Sequence, residues 1–494
     1  MPSTASGEGD RTTDHEASPA NVEGRRLIFG KWGMWMTLVG AVTMLAGLLF
    51  GYDQGVISGA LEFISAHFNL SATTQEVVTS WVTLGALVGA LVAGVLADRV
   101  GRKRANVIAG LLFMAGAAIE ALAPSTVVLV MGRFVVGFGV GVASVAAPLY
   151  AAETAPARVR GRFVSTYQLA ITMGILVAYI VDDLLTPSGN WRVMLGLAIV
   201  PGALLACLMF LMPESPRWLL KAGRREDARA SVQRLDGSAG LDEHIEAIEA
   251  DLAQSSQEAS WREVFSKTLR RPLMIGVGLA VFQQITGINA IIYYADEIFA
   301  RAGFNTPEQQ ARATLYAVGL VNVLATFIAV VYVDRFGRRP LLLAGLTGMV
   351  VSLAGVGFAF FVFDETSHPT GGTSTTGILT VIGLVVFIAS FAFSLGPIVW
   401  TVINEIYPTR VRGKAVAVAT AVNWGSAFLV SQFFLTLVDG IGSAATFWLF
   451  AVAGVFAYVW IYKRVPETKG RSLEEIAAMW QQDETGVPSE PTAV

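Results

Sequence analysis

Charged residues are scarce in this chain. Asp, Glu, Lys and Arg make up 15% of its 494 residues, against roughly 25% in typical soluble domains. Hydrophobic residues make up 54%, which indicates a membrane protein. The net charge of −3 is uninformative about partners, but no basic patch with interleaved aromatics is present, which argues against a nucleic-acid-binding protein.

Residues that form disulfide bonds or carry out catalysis are also rare. The only cysteine, Cys207, excludes an intrachain disulfide. All four histidines lie outside the apolar runs, so histidine carries no proton across them. We find no metal-ligand spacing, nucleophile–base pair or phosphate loop, and we therefore expect no metal, no cofactor and no enzyme. Nothing resembles a cleavable signal peptide, and the polar first 25 or so residues are expected to be disordered.

Apolar runs of membrane-spanning length dominate what is present. Twelve can be counted, with approximate limits 35–58, 79–97, 105–123, 126–150, 164–182, 192–212, 272–298, 313–333, 340–363, 377–404, 415–437 and 443–462. No run alternates polar and apolar residues at strand length, so the sequence predicts helices and not a barrel. The expected fold is therefore an all-α membrane protein with twelve transmembrane helices.

The distribution of Lys and Arg predicts the orientation of these spans. The short loops after spans 2, 4, 8 and 10 carry four, three, three and three of them, whereas the odd-numbered loops hold only Arg192, Arg301 and Arg312. Because basic loops stay in the cytoplasm, both termini are expected there. The end of the first span then points to the outside.

Two loop motifs occur twice. Residues 98–102 and 334–338 share Asp-Arg-x-Gly-Arg, and 153–161 and 405–413 share a Glu followed by Arg-Val-Arg-Gly. Duplicated halves are typical of alternating-access transporters. We therefore predict a disordered start, an N-terminal six-helix bundle, a linker of short cytoplasmic helices, a C-terminal six-helix bundle and a cytoplasmic tail. Their expected limits are 1–30, 31–212, 213–270, 271–464 and 465–494.

The charges of the repeated loops form a predicted cytoplasmic gate. Its acids and bases can pair at the helix ends, which would latch the halves in the outward-open state and release them when the inner side opens. The alternative, that the bases only set topology, explains the Arg residues but not the paired acids. The gate residues are Asp98, Arg99, Arg102, Glu153, Arg160, Asp334, Arg335, Arg338, Glu405 and Arg412.

Two charges fall inside apolar runs. Asp53 ends the first run, where a carboxylate at bilayer depth costs about 2.5–3.5 kcal/mol and normally serves function. The open alternative is that it lies at the membrane surface and is solvated. Arg133 lies within the fourth run, and a buried Arg needs an anion. Glu120, near the outer end of the third run, is given no role.

The seventh span is rich in amides and tyrosines, which suit a neutral, hydroxyl-rich ligand. Its candidates are Gln283, Gln284, Asn289 and Tyr293. Gln284 and Asn289 are five residues apart, so they converge only if the helix breaks, and Gly287 is the expected break. Alternatively, the amides bond neighbouring helices. Other spans supply single candidates, each open to a packing role: Gln168, Asn322, Trp400, Asn423 and Trp424.

Together these motifs resemble the sugar porter family of the major facilitator superfamily over about residues 35–475. The signatures lie at 51–59, in the two Asp-Arg-x-Gly-Arg loops, and at 158–161, 213–219, 283–289, 396–400 and 466–470. The resemblance implies a monosaccharide or polyol carrier that works by rocking of two six-helix bundles. It places Gln168, Gln283, Gln284, Asn289, Asn322, Trp400 and Asn423 at sugar-contacting positions and Phe50 beside them.

The resemblance also implies energy coupling, because proton-coupled members hold the first-span Asp near the fourth-span Arg, here Asp53 and Arg133. Ile175 and Asn423 stand where the family's xylose symporters carry glutamine, and both choices are closer to the glucose carriers. We therefore expect a proton-coupled importer of a hexose or pentose. The alternatives are a passive facilitator, a myo-inositol or polyol symporter, or a non-transporting sensor, although only 25 residues follow Lys469. The expected partners are the sugar, a proton and the lipid of the plasma membrane, with a monomer as the functional unit.

Overall fold

The computed structural model describes residues 31–155, 157–236, 240–255, 260–362, 375–408 and 410–469, together with Glu475. Within these ranges there is no strand, and twelve helical segments are long and apolar enough to cross a membrane. The all-α class and the number of spans are therefore confirmed. The sequence also predicts a short amphipathic cytoplasmic helix after Pro466, with Leu473, Ile476, Met479 and Trp480 among charged residues, and this stretch lies largely outside the described residues.

The first six spans are built from seven helices: α1 (Lys31–Phe68), α2 (Ala72–Val100), α3 (Arg102–Ala121), α4 (Thr126–Thr154), α5 (Ala157–Leu185), α6 (Trp191–Gly196) and α7 (Ile199–Leu211). The linker holds α8 (Pro216–Lys221), α9 (Arg225–Asp236), α10 (Leu241–Ser255) and α11 (Trp261–Val264). The sequence predicts short helices in this linker, with helical spacing at 224–235 and 242–252, and α9 and α10 match these two stretches.

The last six spans contain more interruptions than the first six. They are α12 (Arg270–Ile285), α13 (Ile288–Tyr293), α14 (Ala295–Arg301), α15 (Pro307–Thr314), a π-helical turn (Leu315–Leu320), α16 (Val321–Phe336), α17 (Arg338–Val362), α18 (Thr375–Phe393), α19 (Leu395–Ile406), α20 (Arg412–Ile441) and α21 (Ser443–Arg464). Since twelve crossings return the chain to its starting side, Lys31 and Arg464 lie on one side, here called the terminal side.

Small residues let the helices approach closely. Gly137 and Gly141 of α4 face α2, where a Cβ on Gly137 would lie 2.9 Å from the Cα of Val82. Such contact favours helix association in lipid. The glycine-rich stretch of the fourth span is thus a packing surface, as its position in the middle of a span predicts.

Helices of each predicted bundle pack mainly with one another. α1 packs on α5, and α4 packs on α2 and α3, while α17 packs on α18 and α21. The two sets meet where α2 contacts α20 and where α5 contacts α16. The residue limits proposed for the bundles and the linker stay a prediction.

One predicted limit matters for function. The first span was expected to end near residue 58, but α1 continues to Phe68. Asp53 therefore lies about 22 Å from the end of its helix, at about 1.5 Å per residue. Asp53 is 3% exposed, so the alternative of a solvated surface carboxylate is wrong for this conformation.

Candidate functional site

Asp53 and Arg133 form an ion pair in the interior of the molecule. Arg133 on α4 donates from Nη1 to Asp53 Oδ1 on α1 at 2.5 Å, and from Nε to the carbonyl of Val78 on α2 at 3.3 Å. The Arg133 side chain is fully buried. Because a buried guanidinium cannot lose its charge at ordinary pH, the carboxylate is what keeps this interior neutral.

Glu120, which the sequence left without a role, joins the same site. Its Oε1 lies 3.7 Å from Arg133 Nη1, and Glu120 is 1% exposed. Gly132 permits this approach, since a Cβ there would lie 2.7 Å from Glu120 Cγ. Two carboxyl groups therefore share one guanidinium. The missed signal was the short turn between the third and fourth spans, which makes them antiparallel neighbours.

The seventh span breaks where the sequence predicts. α12 ends at Ile285, and Gly287 has φ +92°, a left-handed conformation that favours glycine. The break brings Asn289 Nδ2 within 2.9 Å of Gln284 Oε1. Helix α13 then ends at Tyr293, and Gln283, Gln284 and Asn289 on either side of the break are all buried.

The amides form one continuous hydrogen-bonded series, here called the amide chain: Gln54, Asn289, Gln284, Asn423 and Gln283. Gln54 Nε2 lies 3.5 Å from Asn289 Oδ1, Gln284 Nε2 donates to Asn423 Oδ1 at 3.2 Å, and Asn423 Nδ2 donates to Gln283 Oε1 at 2.7 Å. The amide chain joins α1, the seventh span and α20. It offers uncharged donors and acceptors on both halves.

Aromatic rings flank one end of the amide chain. The Phe50 and Trp424 rings lie 5.3 Å apart, between centroids. Gln54 Nε2 also donates to the Tyr293 hydroxyl at 3.2 Å. These residues and Asp53 line a narrow cleft that is too small to hold a water molecule in this conformation. Of the amide chain, Gln54 lines this cleft beside Asp53.

Three predicted site residues stand apart from this network. Gln168 on α5 and Trp400 on α19 are half-buried, and Asn322 on α16 is 4% exposed. Among the described residues, no hydrogen bond joins their side chains to the amide chain. Gln54 was missed as a site residue, although it directly follows Asp53 in the first-span motif.

The predicted gate residues form similar clusters in the two halves. In the first half, Arg102 donates from Nε to Glu153 at 2.9 Å and from Nη1 to Asp98 at 2.8 Å. Ser215 Oγ donates to Glu153 at 2.5 Å, and Glu214 accepts from the backbone N–H of Lys103 at 2.9 Å. The linker therefore completes the cluster.

The second half repeats this arrangement. Arg338 pairs with Glu405 at 3.2 Å, and Thr468 Oγ1 donates to Glu405 at 2.7 Å. Glu467 accepts from the backbone N–H groups of Arg338 and Arg339 at 3.0 and 3.1 Å. The sequence motifs that contain Glu214 and Glu467 were recognised, but their acids were not assigned to the gate.

The remaining gate residues have separate surroundings. Arg412 donates to the carbonyl of Tyr407 at 3.2 Å, Arg99 is exposed, and the Arg335 guanidinium lies 5.3 Å from the Tyr332 ring centre. The side chains of Arg160 and Asp334 lie outside the described residues. The ion pairs of Arg102 and Arg338 each stay within one half, so a latch between the halves in the outward-open state stays a prediction.

Contacts between the halves lie on the side opposite the termini. Ser80 Oγ donates to Gln432 Oε1 at 2.7 Å, and Thr436 donates to Glu76 from its backbone N at 2.6 Å and from Oγ1 at 2.7 Å. The phenol of Tyr179 donates to the carbonyl of Ile292 at 2.9 Å. This opposite side is therefore closed in the present conformation.

Comparison with known proteins shows the family. The family described as "Sugar (and other) transporter" matches residues 39–480. The chain is 41% identical over 451 residues to an arabinose-proton symporter of Escherichia coli, covering 90% of this chain and 93% of that protein. It is 42% identical over 434 residues to a galactose-proton symporter of the same species, covering 87% and 91%.

A solved structure has the same fold. The inward-open conformation of the xylose transporter XylE from E. coli matches with a TM-score of 0.77 and 31% identity, covering 90% of this chain and 100% of that one. The twelve spans, the repeated halves and these matches agree with one another. The chain is a multi-pass membrane transporter and belongs to the sugar porter family of the major facilitator superfamily.

Proposed function

We propose that this protein imports a monosaccharide together with a proton, by alternating access. One observation carries the proposal: Asp53 and Gln54 are neighbours on α1, and the first binds Arg133 while the second joins the amide chain. A proton-binding group and a candidate sugar site therefore share one turn of one helix. The arabinose and galactose symporters among its relatives support a pentose or hexose as the substrate.

The sugar site follows from the chemistry of its lining. Sugar hydroxyls both donate and accept hydrogen bonds, and amides offer both functions without charge. The Phe50 and Trp424 rings supply apolar faces for the C–H surfaces of the sugar. Gln168, Asn322 and Trp400 complete the site in another conformation or through direct contact with the sugar.

Coupling begins with protonation of Asp53 from outside, which weakens its pairing with Arg133. Sugar binds at the amide chain, the loaded bundles reorient, and Arg133 favours release of the proton inside because it stabilises the carboxylate. Each proton that moves inward down 100 mV contributes roughly 2.3 kcal/mol, enough for a sugar gradient of about fifty-fold.

The termini lie in the cytoplasm of a plasma-membrane protein in this proposal, because the basic loops lie on the terminal side. The closed opposite side is then the outer side, and the conformation is inward-facing. The repeated clusters around Arg102 and Arg338 form the inner gate. A single chain surrounded by lipid is the functional unit.

Uptake into proteoliposomes tests the sugar site. We expect one sugar from a labelled panel of glucose, galactose, xylose, arabinose and myo-inositol to saturate uptake under an inward proton gradient. Asn289→Ala should raise the half-saturating concentration about tenfold, since a lost hydrogen bond costs about 0.5–1.5 kcal/mol. The matched Asn305→Ala, at an exposed turn, should leave it unchanged. Equal saturation in wild type and Asn289→Ala would contradict the site.

A further inference from the structure

Two buried acids that the coupling site does not use meet where the halves join. Asp182 lies on α5 in the first half and Asp296 on α14 in the second, and they are 1% and 7% exposed. Both contact consecutive residues of α1, Gly59 and Ser58. Asp182 and Asp296 are here called the outer acid pair.

Only neutral groups donate to these carboxyls. Asp182 Oδ2 accepts from the backbone N–H of Gly59 at 3.3 Å, and its buried Oδ1 has no hydrogen-bond partner. Asp296 Oδ1 accepts from Ser58 Oγ at 3.2 Å and from Thr314 Oγ1 at 2.5 Å. Ser58 and Asp296 belong to different halves, so this bond exists only while the opposite side is closed.

The surrounding charges do not neutralise the pair. In the described part of the chain, no Lys, Arg or His lies within ion-pair distance of either carboxyl. Arg312 of α15, whose side chain is 67% exposed, lies 3.7 Å from the neighbouring Asp183. Other acids on the packed helices are Glu62 of α1, Glu297 of α14 and Glu308 of α15.

The neighbouring phenols are also engaged elsewhere. Tyr179 donates to the carbonyl of Ile292, and Tyr52 donates to the carbonyl of Met194 at 2.6 Å. The Tyr293 hydroxyl accepts from Gln54 and makes no hydrogen bond to Oδ1 of Asp182. The free Oδ1 of Asp182 therefore lacks a donor, and a proton on that carboxyl would remove the need for one.

We propose that the outer acid pair is a second proton-binding site, separate from Asp53, that takes up protons when the outer side closes. When the outer side closes, each carboxyl group loses its contact with water and gains no neighbouring cation. Its neutral, protonated form is then favoured over the charged form. When the halves part on this side, Ser58 leaves Asp296, water enters and the protons are released. Closure is then linked to proton uptake, so acid outside favours the outward-closed conformation.

This site does not depend on sugar binding. Asp53 couples transport to the gradient, whereas the outer acid pair sets how external pH divides the protein between its two conformations. The orientation in the membrane rests on the proposed function, but the linkage between closure and protonation does not.

Distance measurements on the full chain test the linkage. Spin labels at Ala66→Cys and Asn305→Cys, both exposed on the outer rim but on different halves, would report closure in a Cys207→Ser, Asp53→Asn background without sugar. Asp53→Asn removes the coupling site, so the outcome is independent of whether the protein is a symporter. The pH is varied from about 8 to 5.

We expect the ratio of closed to open protein to rise as the pH falls, by at most about tenfold per pH unit for each proton taken up. Asp182→Asn with Asp296→Asn should be mostly closed and insensitive to pH, and each single variant should show a shallower dependence. Glu246→Gln, an exposed acid of α10 in the linker, should behave as the parent. An unchanged pH dependence in the single or double variants, or none in the parent, would overturn the proposal.

Discussion

Arg133 is the residue on which the interior charge balance depends. It is fully buried and lies 2.5 Å from Asp53 and 3.7 Å from Glu120. Removing one partner of a buried ion pair leaves an uncompensated charge, which costs about 3–5 kcal/mol. If Asp53 takes a proton, a second acid that is ionised would lessen that cost, because an anion would stay beside Arg133. We therefore predict a role for Glu120 in the transport cycle, which its position in the sequence does not reveal.

Glu120→Gln tests this role. A nearby negative charge favours the protonated form of Asp53, so its removal should make Asp53 harder to protonate. We expect the pH of half-maximal gradient-driven uptake to fall by about one unit, a tenfold change in proton affinity. Uptake measured across external pH values checks this, with Glu62→Gln as the control. An unchanged pH profile would assign Glu120 to packing only.

At the scale of elements, the seventh span shows how a break creates a site. In a continuous helix, Gln284 and Asn289 would point about 140° apart, and the amide chain would lose its central link. Gly287 provides the turn, with the Phe450 ring packed beside it. Glycine is required at position 287 for two reasons: its positive φ, and the lack of room for a Cβ beside the Phe450 ring.

Gly287→Ala should therefore damage both stability and transport. A left-handed conformation costs a residue with a Cβ about 1–2 kcal/mol, and the new Cβ would lie 2.7 Å from Phe450 Cδ2. We expect a lower midpoint of thermal unfolding and roughly tenfold slower sugar counterflow. Gly355→Ala, whose Cβ would meet nothing within 4 Å, should be close to wild type in both assays. Equal counterflow in the two variants would contradict the break's role.

The gate cluster of the second half makes a prediction about pH. Burial raises the pKa of Glu467, but backbone N–H groups of Lys469, Arg338, Arg339 and Thr468 outweigh it, and the net pKa lies below the ordinary 4.5. The ionised carboxylate therefore stabilises the folded state above pH 4.5, and this contribution is lost as the pH falls through the lower, folded-state pKa.

Glu467→Gln should consequently unfold at a lower temperature than wild type at pH 7. The difference should shrink below about pH 4.5, because the wild-type carboxyl then gains its proton. Thermal unfolding in detergent from pH 7 to 3 measures both. Glu246→Gln, an exposed acid of α10, serves as the control. A difference that stays constant with pH would contradict the account.

Some elements could be predicted from the sequence and others could not. Apolar length gave the spans, and Gly287 between two amides marked the break in the seventh. The break before Leu395 coincides with Gly396 and Pro397, a signal that we did not use. The π-helical turn at Leu315–Leu320 has no comparable signal, because such distortions arise from packing between helices. Gln54 and Glu120 were missed as partners, since their roles depend on which spans become neighbours.

The whole molecule consists of two halves that contact each other on one side and carry equivalent charge clusters on the other. Arg102 with Glu153 and Arg338 with Glu405 occupy matching positions, as the repeated motifs predict. The halves meet through α2 with α20 and α5 with α16. Rocking about these contacts would expose the cleft to either side in turn, and both Asp53 and the amide chain lie on that path.

The most direct test of this account compares wild type with Asp53→Asn in proteoliposomes, with and without an inward proton gradient. Asn keeps the shape of the Asp53 side chain but cannot be ionised or bind the transported proton. We expect wild type to accumulate its sugar above equilibrium, and Asp53→Asn to exchange sugar in counterflow without accumulating it. If wild type only equilibrates its sugar and Asp53→Asn matches it, Asp53 is structural and the protein is a facilitator.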